Sequence, residues 1–261
     1  MSPSWREQIT ITLSPQQVTV TRYSRGLRPA IIELETLACT ASETRPTWQP
    51  AVDALRLWLT RPALKVADAH IVLSNHFVRY LLIPWNPDLV TEHEELNFAR
   101  ARFLKVFGDT AEKWVLKLSR PKPDVSSVAS ALERPLLDAL TTAVANSALR
   151  LRSIQPGLMA AFNARSRIPA GNAWMVVAEP GRLLLALLRT GEWQSLRSRS
   201  IDGHAVALAE IIEQEHLLVG IKSANEKVYL HRIGEPSLDT KGLNVERWLS
   251  DAGALQAPGA H

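Results

Sequence analysis

The chain has 261 residues, a formal net charge of +4 and a pI near 9.4. Apolar residues make up 46% and charged residues 21%, a composition that excludes a disordered chain and predicts one large or two smaller folded domains. The basic residues are spread along the chain rather than gathered in a stripe, so a basic nucleic-acid-binding protein is kept only as an alternative.

Motif content limits the chemistry. Cys39 is the only cysteine, which excludes an intramolecular disulfide and a cysteine-based zinc site. No helical histidine pair of the zinc-protease type and no nucleophile elbow occurs, so we expect no metal site and no catalytic residue. Residues 1–10 contain no apolar signal-peptide core, and the longest run of large apolar residues is far below the roughly 20 that cross a bilayer. We expect a cytoplasmic protein.

The first half of the chain predicts strands and helices in alternation. Apolar residues alternate with threonine on either side of Ser14–Pro15, which predicts a hairpin, and a third strand follows before residue 36. A helix is predicted around residues 52–59. Residues 70–73 and 77–83 then predict paired strands joined by a turn at residues 74–76.

The clearest helix of the chain follows Pro87. Thr91 with Glu94 three residues later predicts a capping box, and an apolar stripe continues to Phe107 before Gly108. Strands are predicted at residues 113–118, 126–131 and 149–154, with a helix from Pro135 between the last two.

The strand pattern restarts after a predicted boundary at residues 165–172. Residues 174–178, 183–189 and 193–199 predict a three-stranded meander. A helix beginning near Asp202 and a strand at residues 228–231 complete this half. Each half therefore predicts the order strand, strand, strand, helix, strand.

This duplicated order resembles the plan of the actin, Hsp70 and hexokinase superfamily. Four stretches resemble one branch of it, the PilM-type protein of type IV pilus assembly and the related cytoplasmic domains of GspL and MshI. They are residues 71–84 with the acidic helix 92–107, residues 126–131 with the helix from Pro135, residues 149–162, and residues 174–203. The resemblance implies an α/β, actin-like (ribonuclease H-like) fold with duplicated β-β-β-α-β halves, an inserted small α+β subdomain and a degenerate nucleotide site.

The same resemblance implies a division of the chain. We expect residues 1–68 and 132–170 to form the N-terminal lobe and residues 69–131 to form the inserted subdomain. Residues 171–261 are expected to form the C-terminal lobe, with truncation of that lobe left open.

The nucleotide site is expected to be degenerate because its turns depart from the superfamily pattern. In the superfamily, small residues let backbone N–H groups approach phosphate, and an acid places magnesium. The turns here contain Ser14, Pro15, Gln16, Glu179, Pro180, Gly181 and Gly234. Proline removes an N–H donor from two of the three turns. The expectation is a pseudo-ATPase without cofactor, and an ATP–Mg-binding ATPase is the alternative.

A partner-binding scaffold is the function that the resemblance implies. Such a protein would hold the extended cytoplasmic tail of a PilN-like single-span protein at the inner face of the inner membrane, with self-association left open. Extended peptides are recognised by an edge strand and side-chain pockets. The candidate residues are Phe77, Arg79, Leu81, Ile83, Trp85, Leu96 and Phe103. For Leu81, Ile83, Leu96 and Phe103, the alternative is that they form the subdomain's own core.

Overall fold

The computed structural model describes residues 7–26, 30–40, 46–119, 123–164, 171–201, 206–220 and 226–248. Its strands in chain order are β1 (Gln8–Leu13), β2 (Gln17–Tyr23), β3 (Ile31–Ala38), β4 (Asp68–Leu73), β5 (Val78–Ile83), β6 (Trp114–Leu118), β7 (Ser127–Glu133), β8 (Arg150–Pro156), β9 (Ala173–Glu179), β10 (Arg182–Arg189), β11 (Glu192–Ser200), β12 (Val206–Ala207), β13 (Lys227–Arg232), β14 (Leu238–Asp239) and β15 (Val245–Arg247). Its α-helices are α1 (Gln49–Leu59), α2 (Glu92–Phe107), α3 (Arg134–Ala145), α4 (Gly157–Asn163) and α5 (Leu208–Val219). A short 3₁₀ helix spans Gly108–Lys113.

The first five-stranded sheet has the order β3-β2-β1-β4-β8. β1 and β2 form the predicted hairpin, β3 pairs antiparallel with β2, and β4 and β8 continue the sheet in parallel to β1. Ile9, Ile11 and Leu13 are buried because the period of a strand places alternate residues on one face. Helices α1 and α3 pack against each other and bury their apolar sides.

The second five-stranded sheet repeats this plan in the order β11-β10-β9-β13-β15. β9, β10 and β11 are antiparallel, whereas β13 and β15 run parallel to β9. Its core lies between the sheet and α5 and includes Trp174, Leu185 and Ile212. A minor parallel pair joins β12 to β14. The predicted duplication of β-β-β-α-β halves is confirmed.

A three-stranded sheet of order β5-β7-β6 forms the small α+β part, with α2 among the elements packed on it. Thr91 caps α2 as predicted. The Thr91 hydroxyl accepts from the Glu94 backbone N–H, and the Glu94 carboxylate accepts from the Thr91 backbone N–H. Phe103 is fully buried between α2 and this sheet.

The predicted pairing of the strands at residues 70–73 and 77–83 is wrong. β4 lies between β1 and β8 in the first sheet, whereas β5 belongs to the small sheet. Ile71, Val72 and Leu73 are all buried, as in an interior parallel strand with both faces covered. The Ser74 N–H still donates to Leu13, and the chain then turns out of the sheet. The inserted segment therefore begins after β4 rather than at residue 69.

The described residues fall into two compact units. Those up to Arg79 and Leu132–Ala164 form one unit, and Tyr80–Ala131 with residues 171–248 form the other. The predicted helix start at Asp202 and most of the predicted boundary at residues 165–172 lie outside the described residues. Within the part of the chain that is described, no helix has the length and apolarity needed to span a membrane.

Candidate functional site

The first turn, between β1 and β2, binds its own backbone groups. The Ser14 N–H donates to the Gln17 carbonyl at 2.9 Å, and the Gln17 N–H donates to the Ser14 hydroxyl at 3.2 Å. The Ser14 hydroxyl also donates to the Gln17 carbonyl at 2.9 Å. Pro15 has no N–H, and Gln16 is exposed. This turn has no carboxylate, and two of its N–H groups are already used.

The second turn, between β9 and β10, buries its acid. Glu179 is only 1% exposed and lies opposite Arg182 across the strand pair. Gly181 adopts a φ of +76°, a conformation that glycine reaches without strain. Arg182 donates to the Ser198 hydroxyl at 3.1 Å, and burial lowers the pKa of its guanidinium. The carboxylate and its cationic neighbour are thus both integrated into the sheet.

The third turn packs directly on the second. Gly234 has a φ of +69°, and a Cβ added there would lie 3.4 Å from Cγ of Pro180. The Ile233 N–H donates to the Ala178 carbonyl at 2.9 Å. The pyrrolidine ring of Pro180 therefore occupies space beside Gly234 that two glycine-bearing turns would leave open.

Each of these turns, taken by itself, departs from a glycine-rich phosphate cradle. A phosphate cradle requires free backbone donors, and a magnesium ion requires an accessible carboxylate. Among the described residues, no group of three His, Cys, Asp or Glu side chains could hold a metal ion. Burial lowers the pKa of nearby His231 to about 4, so this imidazole is neutral at pH 7.

Most of the candidate partner-binding residues lie in the interior. Ile83 and Phe103 belong to the core of the small sheet, and Leu81 and Leu96 pack against that core. The structure therefore places these four residues in or against the subdomain's own core, which was the alternative, because each lies on the inward face of its strand or helix.

Two further candidates, Phe77 just before β5 and Arg79 in its first residues, also have contacts within the protein. Phe77 is buried. The guanidinium of Arg79 donates to the carbonyl oxygens of His76 at 3.0 Å and Val78 at 3.2 Å. Both residues therefore help to shape the turn into β5.

Trp85 differs from the other six because its ring is accessible. It is 40% exposed and follows β5, which is an edge strand of the small sheet as described. It lines an open depression of the surface. The other lining residues are Ile83, Pro84, Asn86, Leu89, Glu95, Leu118, Val125 and Ser127. We call this depression the Trp85 groove.

The sequence indicates one wall of the Trp85 groove but not the other. The position of Trp85 between Pro84 and Pro87 predicts an exposed ring. Leu118 and Val125 come from a later part of the chain, and no local pattern places them beside Trp85. Only the β5-β7-β6 strand order brings these segments together.

Known proteins resemble the chain in structure but not in sequence. No protein-family model matches it, and no curated protein matches it. A chain of the PilM–PilN type IV pilus biogenesis complex superposes with a TM-score of 0.63 at 14% identity, covering 92% of this chain and 87% of that one. The cytoplasmic domain of EpsL, an inner-membrane component of the type II secretion system of Vibrio cholerae, superposes with a TM-score of 0.59 at 11% identity, covering 92% and 89%.

A third similar structure is described as having an actin-like ATPase fold. It is a Bacteroides thetaiotaomicron protein of unknown function with an actin-like ATPase fold, which superposes with a TM-score of 0.59 at 11% identity over 87% of this chain and 82% of that one. Identities this low establish the fold alone. The chain therefore has the actin-like ATPase fold, and in structure it resembles proteins of type IV pilus biogenesis and type II secretion.

Proposed function

We propose that the protein is a cytoplasmic component of a type IV pilus or type II secretion-like assembly platform at the inner membrane. It acts as a scaffold that binds the cytoplasmic tail of a single-span membrane protein. The observation that carries this proposal is the structural match over 92% of the chain to both the PilM–PilN complex and the EpsL domain.

The proposed scaffold has little or no ATPase activity. This part rests on the three turns, where Ser14 and Gln17 bind each other, Glu179 is buried, and Pro180 fills the space beside Gly234. A turn whose donors are consumed internally offers no site for phosphate oxygens.

The Trp85 groove is the proposed docking surface. An extended tail can add main-chain hydrogen bonds to an edge strand such as β5 while placing a side chain in a neighbouring pocket. A half-exposed tryptophan is a favoured contact residue, because its large ring buries apolar area while its N–H remains free to bond.

A site-specific crosslink tests the docking surface. A photoreactive amino acid replaces Trp85 in one variant and Leu57 in a control, since Leu57 is 75% exposed on α1. In living cells, we expect the Trp85 position to capture one single-span membrane protein that the Leu57 position does not. Capture of the same proteins at both positions, or of none, contradicts the proposal.

Calorimetry tests the proposal that the scaffold has little or no ATPase activity. Titration with MgATP is expected to give no saturable heat and no change in melting temperature. Micromolar MgATP binding accompanied by hydrolysis would instead identify an active ATPase, the alternative kept from the sequence.

A further inference from the structure

β3 is the outer strand of the first sheet, and its exposed side chains are largely apolar. Among the described residues it pairs with β2 on one side and with no strand on the other, so backbone N–H and C=O groups of an eight-residue strand face outward. Ile31, Ile32 and Leu34 are 46%, 55% and 64% exposed. The exposed residues of the other outer strands of the two five-stranded sheets, β8, β11 and β15, are all polar or charged.

The two acids of β3 are already bound by arginines of the same chain. Arg22 pairs with Glu33 at 2.7 Å and also with Glu7 at 2.9 Å. Arg61 pairs with Glu35 at 2.7 Å. Arg61 is half-exposed, and among the described residues only its Nη1 donates a hydrogen bond. Its guanidinium therefore keeps N–H donors for a second carboxylate.

Helix α1 adds an exposed apolar residue at the same edge. Trp58 donates to Glu35 and Arg61 pairs with it, so this side of α1 faces β3. Leu57 is adjacent to Trp58 and lies four residues before Arg61, which places it on the same side of the helix. It is 75% exposed. Apolar side chains are therefore exposed both on β3 and on the helix beside it.

We propose that β3 pairs with β3 of a second copy of this chain, antiparallel about a two-fold axis at Leu34, so that the two first sheets become continuous. The sequence is nearly symmetric about this residue, as a two-fold contact requires. Leu34 meets its own counterpart, Ile32 lies opposite the partner's Thr36, and Glu33 lies opposite the partner's Glu35. The pairing of β3 with β2 is regular over this stretch from Glu33 onward, and its register shift lies before Glu33.

The charges of the two strands fit this register. Glu35 lies beside the partner's Glu33, and the spare N–H groups of Arg61 can bridge the two carboxylates. Each copy brings three acids and two arginines to this edge, counting Glu7 and Arg22. The segments that adjoin β3 outside the described residues, 27–29 and 41–45, contain two arginines and one glutamate. The edge therefore carries no excess of like charge that would drive two copies apart.

A continuous sheet also leaves room for the helices. Strands in a sheet lie about 4.8 Å apart, so β2 and the partner's β2 would be separated by about 14 Å. Helix α1 packs over β2 and is about 10–12 Å wide with its side chains. The two copies of α1 therefore fit side by side, and their exposed Leu57 side chains lie between them.

Sedimentation velocity of the full chain over a concentration series tests the dimer. The contact is small, so we expect a dissociation constant of about 10–100 µM. Leu34→Lys places two like charges opposite each other and should weaken the dimer by about tenfold or more. The monomer should still fold, because Leu34 is exposed. The matched control is Leu217→Lys, since Leu217 is 78% exposed on α5, and it should change nothing.

Disulfide crosslinking tests the register. In a Cys39→Ser background, Leu34→Cys should crosslink to its own counterpart, because Cα atoms of directly opposite residues lie about 4.5–5.5 Å apart, within disulfide reach. Ile32→Cys alone should not crosslink, since its counterpart would be about 14 Å away. When it is mixed with Thr36→Cys, the two variants should crosslink to each other. Leu217→Cys is the control and should remain monomeric.

The outcomes either support or overturn the pairing. A dimer that Leu34→Lys weakens and that the predicted cysteines crosslink supports it. A chain that stays monomeric, with Leu34→Cys crosslinking no faster than Leu217→Cys, overturns it. A dimer that Leu34→Lys leaves intact, or that lacks the crosslink between Ile32→Cys and Thr36→Cys, also overturns it. The Trp85 groove takes no part in this pairing, so the proposed binding of a membrane-protein tail is judged separately by its own crosslink.

Discussion

The two five-stranded sheets share one strand order but place the same kind of hydrogen bond in opposite surroundings. In the first sheet, Trp58 donates to Glu35 at 2.9 Å, and Arg61 pairs with the same carboxylate at 2.7 Å at the protein surface. In the second sheet, Trp174 donates to Glu226 at 2.9 Å, and Glu226 lies 2.5 Å from His216 in the interior. The Glu226 side chain is only 2% exposed.

The comparison shows that the contribution of such a hydrogen bond to stability depends on whether the bond is buried or exposed. A surface carboxylate that loses a partner returns to water at little cost, whereas a buried one cannot. Oε1 of Glu226 and Nδ1 of His216 are buried and lack hydrogen-bond partners among the described residues. The second sheet therefore depends on an internal polar contact that the first sheet does not need.

The edge strands of the two sheets, β3 and β11, also differ in how far their contacts are buried. β3 exposes Ile31, Ile32 and Leu34, the last of them by 64%. β11 is held to α5 in the interior, because Arg197 and Arg199 both bind the fully buried carboxylate of Glu215 at 3.0 and 2.6 Å. Both edge strands therefore form ion pairs, but the acid is buried beside β11 and partly exposed on β3, where apolar side chains also face solvent.

Removing Glu226 should have the largest effect. Glu226→Ala removes the buried carboxylate that contacts His216 and leaves the Trp174 N–H only Nε2 of His216 as acceptor, and we expect a loss of about 3–5 kcal/mol of stability. The control Glu35→Ala should cost less, about 1 kcal/mol, because Glu35 and Arg61 are partly exposed and only the N–H of the buried Trp58 loses its acceptor. Urea unfolding measures both. Equal losses would show that the buried and the surface hydrogen bond contribute equally to the free energy of unfolding.

Acid should destabilise the protein through His231. Burial lowers the pKa of His231 to about 4, below its ordinary 6.5, so the unfolded chain binds more protons between these values. Stability is therefore full above about pH 6.5 and falls by up to about 3 kcal/mol as the pH approaches 4. Melting temperatures at pH 7, 5.5 and 4.5 test this. A His231→Gln variant should lose less stability over this range, and an identical pH profile would refute the assignment.

Neutralising Glu215 should have an intermediate effect. Glu215→Gln keeps the shape of the side chain but removes the charge that Arg197 and Arg199 share, at a cost of about 1–2 kcal/mol, since both arginines can still reach water. Glu213→Gln is the matched control, being exposed on the same helix. Thermal unfolding should separate the two variants, and a neutral Glu215→Gln would show that β11 is not held by this pair.

The smallest effect on stability is expected at the apolar edge. Leu34→Thr should change the free energy of unfolding by no more than about 0.5 kcal/mol, because the side chain is already exposed. It should reduce self-association at high concentration, since exposed apolar edge strands promote it. Light scattering across a concentration series measures this. A large stability loss would mean that Leu34 is covered.

Much of the fold followed from short-range patterns. The Thr91–Glu94 capping box and the Ser14–Pro15 hairpin each lie within a few residues, and both are present. The candidate site was harder to predict. Trp85 was identified as exposed, but Leu81, Ile83, Leu96 and Phe103 turned out to be core, because strand and helix periodicity says which residues share a face and not whether another element covers it.

The sequence by itself determined the order of the elements, the buried sides of the strands and the presence of prolines in two turns, since each depends on neighbouring residues. Only the tertiary structure decided that β4 lies between β1 and β8, that Pro180 packs on Gly234, and that Trp174 meets His216 and Glu226. Those contacts join residues some 40 to 80 positions apart in the chain. Their geometry depends on how the sheets are assembled, and no local pattern encodes it.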